Sequence, residues 1–576
     1  MKKASVIFVV LVAATLISFK NKNHNPIPPT ATADKILFNG KIITVDSSNT
    51  IAEAVAVKDG KILAVGSSKT ILKLKGSQTE VIDLAGKTLV PGLVDGHSHF
   101  MSLGMDNIAD LNPPPVGPVK NIADIIAVLQ KFKADKHLSD TDWITGSGYD
   151  QEQLAEKRHP TKEDLDAAFP TNPVVIGHVS GHMVVANSAA LKASGIDSNT
   201  PNPAGGVIVR KPGTNEPAGL LQEHASGLLK RRSGRGKLTF EEQLAQINKE
   251  QQLYASFGIT TAQEGYTSFE SLQLLKKAAS QNALYIDIES LPGYATLDKV
   301  LNNPDYQFGI LQNHLKLEGF KLIADGSPQG KTAYFTQPYL TDVPGCEGDE
   351  CRGVPTVTQD EFNAAILRGY KNNIQTFVHC NGDATIDMYI KAVQYADSAL
   401  NTTSTNRRSV IIHSQFARED QLDKYKQLGM VPSFFTNHTF FWGDVHVKNL
   451  GEKRGYYESP LKAALKKGIV FANHTDYPVT PINQMFLLWT SIARESRSGK
   501  VIGPENRLTV LEGLRAITIN GAYLYYEEKS KGSIEKGKLA DFAILSADPL
   551  TIPVAKIKDI TVQETIKEGK TIYKRN

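Results

Sequence analysis

The chain has 576 residues, of which 41% are hydrophobic and 22% are charged. This composition is typical of a globular protein, and the length indicates one large domain with appendages. The formal net charge is only +4, and we find no long basic run, so charge provides no support for nucleic-acid binding.

The N-terminus has the pattern of an export signal. MKK precedes an uncharged apolar run, residues 4–19, and a polar, proline-containing spacer follows it. We assign residues 1–20 to a signal peptide and 21–33 to a linker, which predicts an exported protein, either periplasmic or secreted. An uncleaved N-terminal membrane anchor is the alternative, although the run is short for a membrane span.

Both ends of the remaining chain read as short alternating strands. KILFNGKIITVD and AVAVKDGKILAVG follow the linker, and GSIEKGKLADFAIL and ITVQETIKEGKTIYK lie near the C-terminus. NG and DG dipeptides mark the turns of the N-terminal strands. We therefore predict one β-sandwich made of residues 34–88 and 526–576.

The middle of the chain alternates between strand and helix patterns. Eight segments read as strands: LVDGHSHF, GITTAQEG, LYIDIES, LEGFKLIADG, IQTFVHCNGD, SVIIHSQF, MVPSFFT and IVFANHTDYP. Helical patterns such as EEQLAQINKEQQLYASF and QDEFNAAILRGYKNN separate most of them. Eight such units favour the α/β class and a closed parallel (β/α)8 TIM barrel of residues 89–104 and 236–525.

Residues 105–235 do not fit the barrel count. They contain two strand patterns of their own, WITGSGYD and PVVIGHVSG, and many turn residues. We predict a domain inserted after the first barrel strand.

The three cysteines divide into a pair and a single residue. Cys346 and Cys351 lie in the polar stretch PGCEGDECRG, where they are either a small disulfide loop or two loop thiols. Cys380 follows His379 in an apolar segment and reads as a small buried residue.

Polar residues recur where the predicted barrel strands end, which is where such barrels carry their active sites. His97 and His99 are two positions apart and therefore share a face of their strand. The whole set is His97, His99, Lys321, His379, His413 and Asp476. Each of these residues, taken alone, could equally be a structural or a solvated residue. Four imidazoles and a carboxylate at one barrel mouth, however, are a ligand set for a borderline divalent cation.

At these residues the chain resembles the amidohydrolase superfamily of metal-dependent hydrolases. Within it, the chain is similar to the subgroup that includes N-substituted formamide deformylases. The motifs that carry the resemblance are PGLVDGHSH, GHMVVANSAAL, GFKLIADGSPQGKTA, VHCNGDA, IIHSQ and NHTDYPV. They extend over nearly the whole chain after the signal, and they specify the family far better than the substrate.

The resemblance implies one or two divalent metal ions, with zinc as the expected metal. His97 and His99 would bind the more buried ion, and His379 and His413 would bind the second. The same resemblance implies a (β/α)8 barrel as the scaffold.

The resemblance also implies roles for the remaining two residues of the set. Lys321 would be carboxylated by CO₂ and bridge two ions, which requires a neutral amine and hence a lowered pKa. Asp476 would bind the first ion and act as the proton shuttle between an attacking metal-bound hydroxide and the leaving nitrogen. If Lys321 stays an ammonium group, a one-metal site is the better interpretation.

Candidate substrate residues lie in and beyond the inserted region. By resemblance, His182 would contact the substrate carbonyl or the developing oxyanion. Its alternative is a structural histidine before a helix that Asn187 caps. Tyr149 in GSGYDQEQ and Asp325 in ADGSPQG are further candidates for the substrate pocket, with polar loop and turn roles as their alternatives.

Three other features each have two possible interpretations. Glu223 is either a pocket acid or a solvated helix residue, and we favour the latter. Arg494 is either an anion contact or part of a solvated helix face. The aromatic segment of residues 434–446 is either an apolar wall for the substrate or the packing of a long loop.

The predicted function is hydrolysis of a non-peptide carbon–nitrogen bond in a small-molecule amide, either a linear amide or an N-acyl or N-formyl compound. A lactone or ester hydrolase and a mononuclear deaminase are the enzymatic alternatives, because they use the same scaffold. A non-catalytic exported binding protein is the alternative from another class. The sequence specifies no oligomeric state.

Overall fold

A computed structural model describes residues 32–102, 107–230, 238–403 and 406–576. The predicted signal peptide, and all of the predicted linker except its last two residues, lie outside these ranges. Within them, no helix combines the length and the hydropathy that a membrane crossing needs.

Strands from the two ends of the chain share one sheet. Thr88–Pro91 lies in its middle and pairs antiparallel with Phe542–Leu545. Residues 89–91, which the sequence analysis assigns to the barrel, therefore belong to this sheet. The order of this six-stranded sheet is Lys570–Lys574, Val562–Lys567, Phe542–Leu545, Thr88–Pro91, Lys41–Ile43 and Ile51–Ala52.

A second, four-stranded sheet is built only from N-terminal residues. Its order is Lys61–Gly66, Ala54–Lys58, Ala33–Phe38 and Lys75–Asp83. Leu37 and Val55 of this sheet are buried in one apolar cluster with Leu89, Phe542 and Ile566 of the six-stranded sheet. Alternating apolar residues thus give each sheet one face to bury against the other.

The region predicted as an insertion forms a sheet of its own. The order of its six strands is Gly206–Arg210, Pro217–Glu223, Met183–Ala186, Val174–His178, Ile144–Tyr149 and Ala109–Asp110. Apolar residues are buried in two clusters, one around Ile144 and Ile176 and another around Val175 and Leu221. Because neighbouring residues of a strand point to opposite faces, the two clusters cover the two sides of this sheet.

The middle of the chain forms two parallel sheets. The four-stranded sheet has the order Leu315–Leu317, Asp287–Pro292, Ile259–Thr267 and Leu93–Val94, and the five-stranded sheet has the order Gly319–Ile323, Gln375–Cys380, Val410–His413, Val431–Phe434 and Ala472–Asn473. Each of the eight predicted strand segments contains a strand, and LEGFKLIADG contributes to both sheets. The result is a mixed α/β fold with the strands of these two sheets buried.

Helices follow most of the parallel strands, and side-chain caps mark many of their starts. Thr239, Thr358 and Thr509 each form a reciprocal capping box with the third residue of their helix. The helices are Ser68–Ile71, Ile122–Asp135, Lys162–Asp166, Ser188–Ser194, Phe240–Ser256, Phe269–Ser280, Leu297–Leu301, Gln359–Lys371, Asp383–Leu400, Glu419–Leu428, Asn437–Leu450, Glu452–Tyr456, Leu461–Lys466, Gln484–Ala493, Val510–Ala516 and Ile519–Leu524.

The cysteines resolve one alternative of the sequence analysis. Cys346 and Cys351 are joined in a disulfide. Cys380 is a buried free thiol, as predicted.

A buried charge cluster joins a parallel strand to the C-terminal strands. Asp287 is fully buried, and its carboxylate accepts hydrogen bonds from Lys531 at 2.5 Å and from Lys567 at 2.9 Å. His314 Nδ1 lies 2.7 Å from its other oxygen. Although burial opposes ionisation, the two ammonium groups hold the pKa of Asp287 well below its usual value.

We predict that Asp287→Ala lowers the free energy of unfolding by about 3–5 kcal/mol, because it leaves two buried ammonium groups short of a partner. Chemical or thermal unfolding followed by circular dichroism measures this loss. Asp349→Ala is the matched control, since Asp349 is exposed, and its effect should stay within about 0.5 kcal/mol. Equal effects of the two variants would contradict the prediction.

Candidate metal centre

Parallel pairing brings the polar strand ends to one place. In the five-stranded sheet, Ile323 is level with His379, and Cys380 is level with His413. Across the gap between the first and last parallel strands, the Asp476 N–H donates to the His97 carbonyl at 3.0 Å. The carboxyl ends of these strands therefore face one common cavity.

Five of the six predicted residues lie close together around His97 and Asp476. Asp476 Oδ1 is 3.5 Å from both His97 Nε2 and His99 Nε2. Lys321 Nζ is 2.9 Å from His97 Nε2. One ligand atom each from His97, His413 and Asp476 lies within 4.8 Å of the other two.

The remaining histidine joins this group through His413. His379 Nδ1 is 3.1 Å from His413 Nε2. The other ring nitrogen of His379 is 3.2 Å from the Gly326 carbonyl and 3.0 Å from the Asn381 amide nitrogen. All six predicted residues thus lie in one cluster, which we call the strand-end cluster.

The chemistry of the strand-end cluster fits a divalent cation. Asp476 Oδ1 is buried and has no hydrogen-bond partner among the described residues, although it faces two imidazole nitrogens. Burying a carboxylate oxygen without a partner costs free energy unless an ion or a water molecule binds to it. A cation placed among these donors would satisfy the oxygen and the imidazoles together.

Burial keeps the imidazoles in the form that a metal requires. It lowers the pKa of His97, His379 and His413 well below the ordinary histidine value, so these rings are neutral. Behind them, His97 Nδ1 is hydrogen-bonded to Gln263 Oε1, which turns Nε2 toward Lys321 and Asp476. Such outer contacts fix the tautomer of a ligating histidine.

The two charged members of the cluster respond to burial in different ways. Burial lowers the pKa of Lys321 to about 7, so a large share of this amine is neutral near neutral pH. Burial works against ionisation of Asp476 as well, but the nearby His99, His474 and Lys321 side chains together outweigh it and lower the pKa of the carboxyl. The cluster therefore combines the neutral rings of His97, His379 and His413 with one carboxylate.

A cavity of about 530 Å³ opens above the strand-end cluster. The inserted sheet supplies one wall, which includes His178 and His182. The ring of His182 lies 4.7 Å from that of His379, centroid to centroid. Tyr266, near the end of the strand Ile259–Thr267, and Ser268, which directly follows that strand, line another part. The volume suits a small molecule.

Tyr149 and Asp325 do not line this cavity, which corrects the expectation that they belong to the pocket wall. Both are completely buried. The Tyr149 hydroxyl is 3.0 Å from His159 Nδ1. Asp325 accepts hydrogen bonds from the backbone N–H groups of Asn381 and Gly382 at 3.0 and 2.8 Å, so its carboxylate holds the loop after His379.

Two further expectations are wrong. Glu223 is not a solvated helix residue: it ends a strand, is 9% exposed, and its Oε2 is 2.8 Å from His182 Nδ1. Arg494 is neither an anion contact nor on a solvated face. It is fully buried and donates to the carbonyl groups of Glu458, Ser459 and Ile502.

The aromatic segment after the seventh strand is a helix rather than a long loop. Asn437–Leu450 is helical, and Trp442 donates from Nε1 to Asp150 at 2.8 Å. Asn187 caps the helix Ser188–Ser194, as one of the sequence readings expected.

Sequence reasoning missed His474, which is buried beside the strand-end cluster. Its Nε2 is 3.0 Å from His413 Nδ1, and its Nδ1 is 2.9 Å from Ser433 Oγ. His474 stands two positions before Asp476, and the same spacing selected His97 and His99. The same two-residue spacing could therefore have identified His474 as a candidate.

Comparison with known proteins places these features in one family. The profile of the amidohydrolase family matches residues 80–573. An N-substituted formamide deformylase of Arthrobacter pascens is 25% identical, over 94% of this chain and 98% of its own. A putative amidohydrolase of Bacillus subtilis (strain 168) is 28% identical, over 94% of this chain and 99% of its own.

A solved structure has a similar fold. It is an uncharacterized metal-dependent hydrolase from Pyrococcus furiosus, with a TM-score of 0.66 and 25% sequence identity. The match covers 90% of this chain and 100% of that chain.

We predict that Asp325→Ala destabilises the protein by about 3 kcal/mol or more. It leaves the N–H groups of Asn381 and Gly382 buried without their acceptor, and each such loss costs about 1–3 kcal/mol. Thermal unfolding of the purified variant measures the effect, with the exposed Asp349→Ala as the control. Unchanged stability together with a raised KM would instead identify Asp325 as a substrate residue.

Proposed function

The chain belongs to the amidohydrolase family, and from that premise we propose that it hydrolyses a non-peptide carbon–nitrogen bond with the help of a divalent metal. The proposed substrate is a linear amide or an N-acyl or N-formyl compound. The similarity to an N-substituted formamide deformylase over nearly the whole of both chains supports this choice. The cavity of about 530 Å³ suits a small molecule.

One observation carries the proposal: Asp476 Oδ1, a carboxylate oxygen with no hydrogen-bond partner in the described part of the chain, faces imidazole nitrogens at the floor of a cavity. By contrast, both carboxylate oxygens of Asp287 in the buried charge cluster are hydrogen-bonded. An unpaired oxygen beside imidazole nitrogens is expected of a metal centre that also has to handle a proton.

The residues that would hold the metal are His97, His99, Lys321, His379, His413 and Asp476. The expected metal is zinc, as one or two ions, because imidazole and carboxylate are its common ligands. A divalent ion in this position supplies a Lewis acid that polarises a carbonyl group and lowers the pKa of water.

Lys321 has the properties that carboxylation needs. A neutral amine attacks CO₂, forms a carbamate and releases one proton, and burial lowers the pKa of this amine to about 7. The carbamate would add an anionic oxygen donor to a cluster that otherwise has one carboxylate.

Asp476 is the proposed proton carrier. Its carboxylate would take a proton from the attacking water and deliver it to the leaving nitrogen, which departs poorly as an anion. The Nε2 edge of His182, on the wall that adjoins His379, is the proposed contact for the carbonyl oxygen. Esters and lactones present the same carbonyl, and they form the control substrates.

The two parallel sheets are proposed to form one closed barrel. An isolated parallel bridge between Gly293 and Lys321 supports closure on one side. On the other side, Ser433 donates to the Gly96 carbonyl at 3.3 Å. Closure would hold the strand-end cluster from all sides.

Export of the protein is also proposed. Its support is the apolar run after MKK and the disulfide between Cys346 and Cys351, since disulfides persist in oxidising compartments. Cell fractionation with the intact mass of the mature chain distinguishes a cleaved signal from an N-terminal anchor.

We predict that the purified protein contains one or two zinc ions per chain and that Lys321→Ala contains less metal than wild type. Plasma mass spectrometry of protein loaded with metal measures both, with Lys371→Ala, an exposed lysine, as the control. About two ions would support the bridged centre, and one ion would favour the mononuclear alternative. A protein that takes up no metal would contradict the proposal.

We predict that Asp476→Asn lowers kcat for the best amide of a panel by about 10²–10⁴-fold, because the amide cannot carry the proton. Turnover of N-formyl and N-acyl amines, esters and lactones is measured alongside circular dichroism spectra. Asp559→Asn, an exposed position, is the control and should be silent. Activity near wild type in Asp476→Asn would rule out this role, and preference for lactones would replace the amide assignment.

A further inference from the structure

The register of the inserted sheet places Glu223 beside His182. Strands Met183–Ala186 and Pro217–Glu223 pair antiparallel, with Met183 opposite Gln222. The next pair continues this register, because the Glu223 N–H donates to the His182 carbonyl at 2.8 Å. Side chains that face each other across neighbouring strands are in contact, and Glu223 Oε2 is 2.8 Å from His182 Nδ1.

The arrangement around Glu223 is energetically costly. Its backbone has φ 50° and ψ −127°, a combination that residues with a Cβ rarely adopt. Its Oε1 is buried and has no hydrogen-bond partner within the described ranges. The carboxylate also lies directly against Gly326, where a Cβ would be 2.0 Å from Oε1.

A costly local structure of this kind points to a function when it borders a site. The other histidine on the same wall provides the comparison. His178 Nδ1 is 2.8 Å from Ser180 Oγ, and among the described residues the nearest carboxylate oxygen, in Asp150, is 4.0 Å from His178 Nε2. His182 is thus the wall histidine whose ring is held by a carboxylate.

We propose that Glu223 is a positioning residue for His182, and this inference rests on the proposed function. By accepting the hydrogen bond from Nδ1, Glu223 fixes both the tautomer and the direction of the ring. The opposite nitrogen, Nε2, then faces the cavity where the carbonyl oxygen of the substrate would lie. The carboxylate itself is buried behind the ring and does not touch the substrate.

A double-mutant cycle tests whether Glu223 acts through His182. The variants are Glu223→Ala, His182→Ala and the combination, with Glu216→Ala as the matched control. Glu216 directly precedes the same strand, is half-exposed and pairs with Lys162 and Lys211. We expect kcat of Glu223→Ala to fall about 100-fold, the size of effect that misplacement of a catalytic group produces.

In the His182→Ala background, the same Glu223→Ala change should alter kcat less than about twofold, because its target is gone. Glu223→Gln, which keeps an acceptor oxygen, should restore most of kcat. If the two single substitutions lower kcat independently, so that their effects multiply in the double variant, the proposal is overturned. A kcat of Glu223→Gln as low as that of Glu223→Ala would also overturn it.

A spectroscopic measurement separates this inference from the proposed function. In metal-loaded protein labelled with ¹⁵N-histidine, the His182 signals are identified by their loss in His182→Gln. We expect a proton-bearing Nδ1 in wild type and in Glu223→Gln, and a changed tautomer in Glu223→Ala. Identical His182 shifts in wild type and Glu223→Ala would overturn the positioning role. A changed tautomer in a protein that hydrolyses no amide would retain that role and reject the amidase assignment.

Discussion

Parallel pairing between neighbouring strands is the constraint on which the site depends. Parallel strands of a sheet run in one direction, so their carboxyl ends meet at the same edge. Residues far apart in the chain, such as His97, His379 and Asp476, therefore come within reach of one another. A slip of one residue in any of these strands would turn its ligand away from the cavity.

Burial then decides what each ionisable group can do. His97, His379 and His413 are neutral because burial disfavours their charged form. Asp287 and Asp476 are both buried carboxylates, but they have opposite surroundings. Asp287 is paired with two ammonium groups and joins layers of the fold. Asp476 has one oxygen at the cavity floor that no other described residue pairs with. A buried aspartate thus stabilises the packing of the fold at position 287 and offers a ligand atom at position 476.

Much of the fold could be predicted because its signals are local. Apolar strands, capping threonines and NG or DG turns depend on residues close in sequence, and each predicted parallel strand is present. The favoured interpretation of Glu223, the interpretations of Arg494 and the assignment of residues 434–446 to a loop failed for a common reason. Each depends on contacts with distant segments: Glu223 with His182, Arg494 with the carbonyl groups near Ser459, and Trp442 with Asp150. The helical or polar pattern of a short segment does not reveal which distant residues its side chains contact.

The sequence by itself determined the order of strands and helices, the candidate ligands at the strand ends and membership of the amidohydrolase family, because these follow from local pattern and motif. Only the tertiary structure decided which atoms face one another. It placed Asp476 Oδ1 between two imidazoles, withdrew Tyr149 and Asp325 from the cavity and set Glu223 behind His182. The physical reason is that burial and hydrogen bonding across long sequence separations depend on how the sheets pack, and packing distances are not encoded in any local pattern.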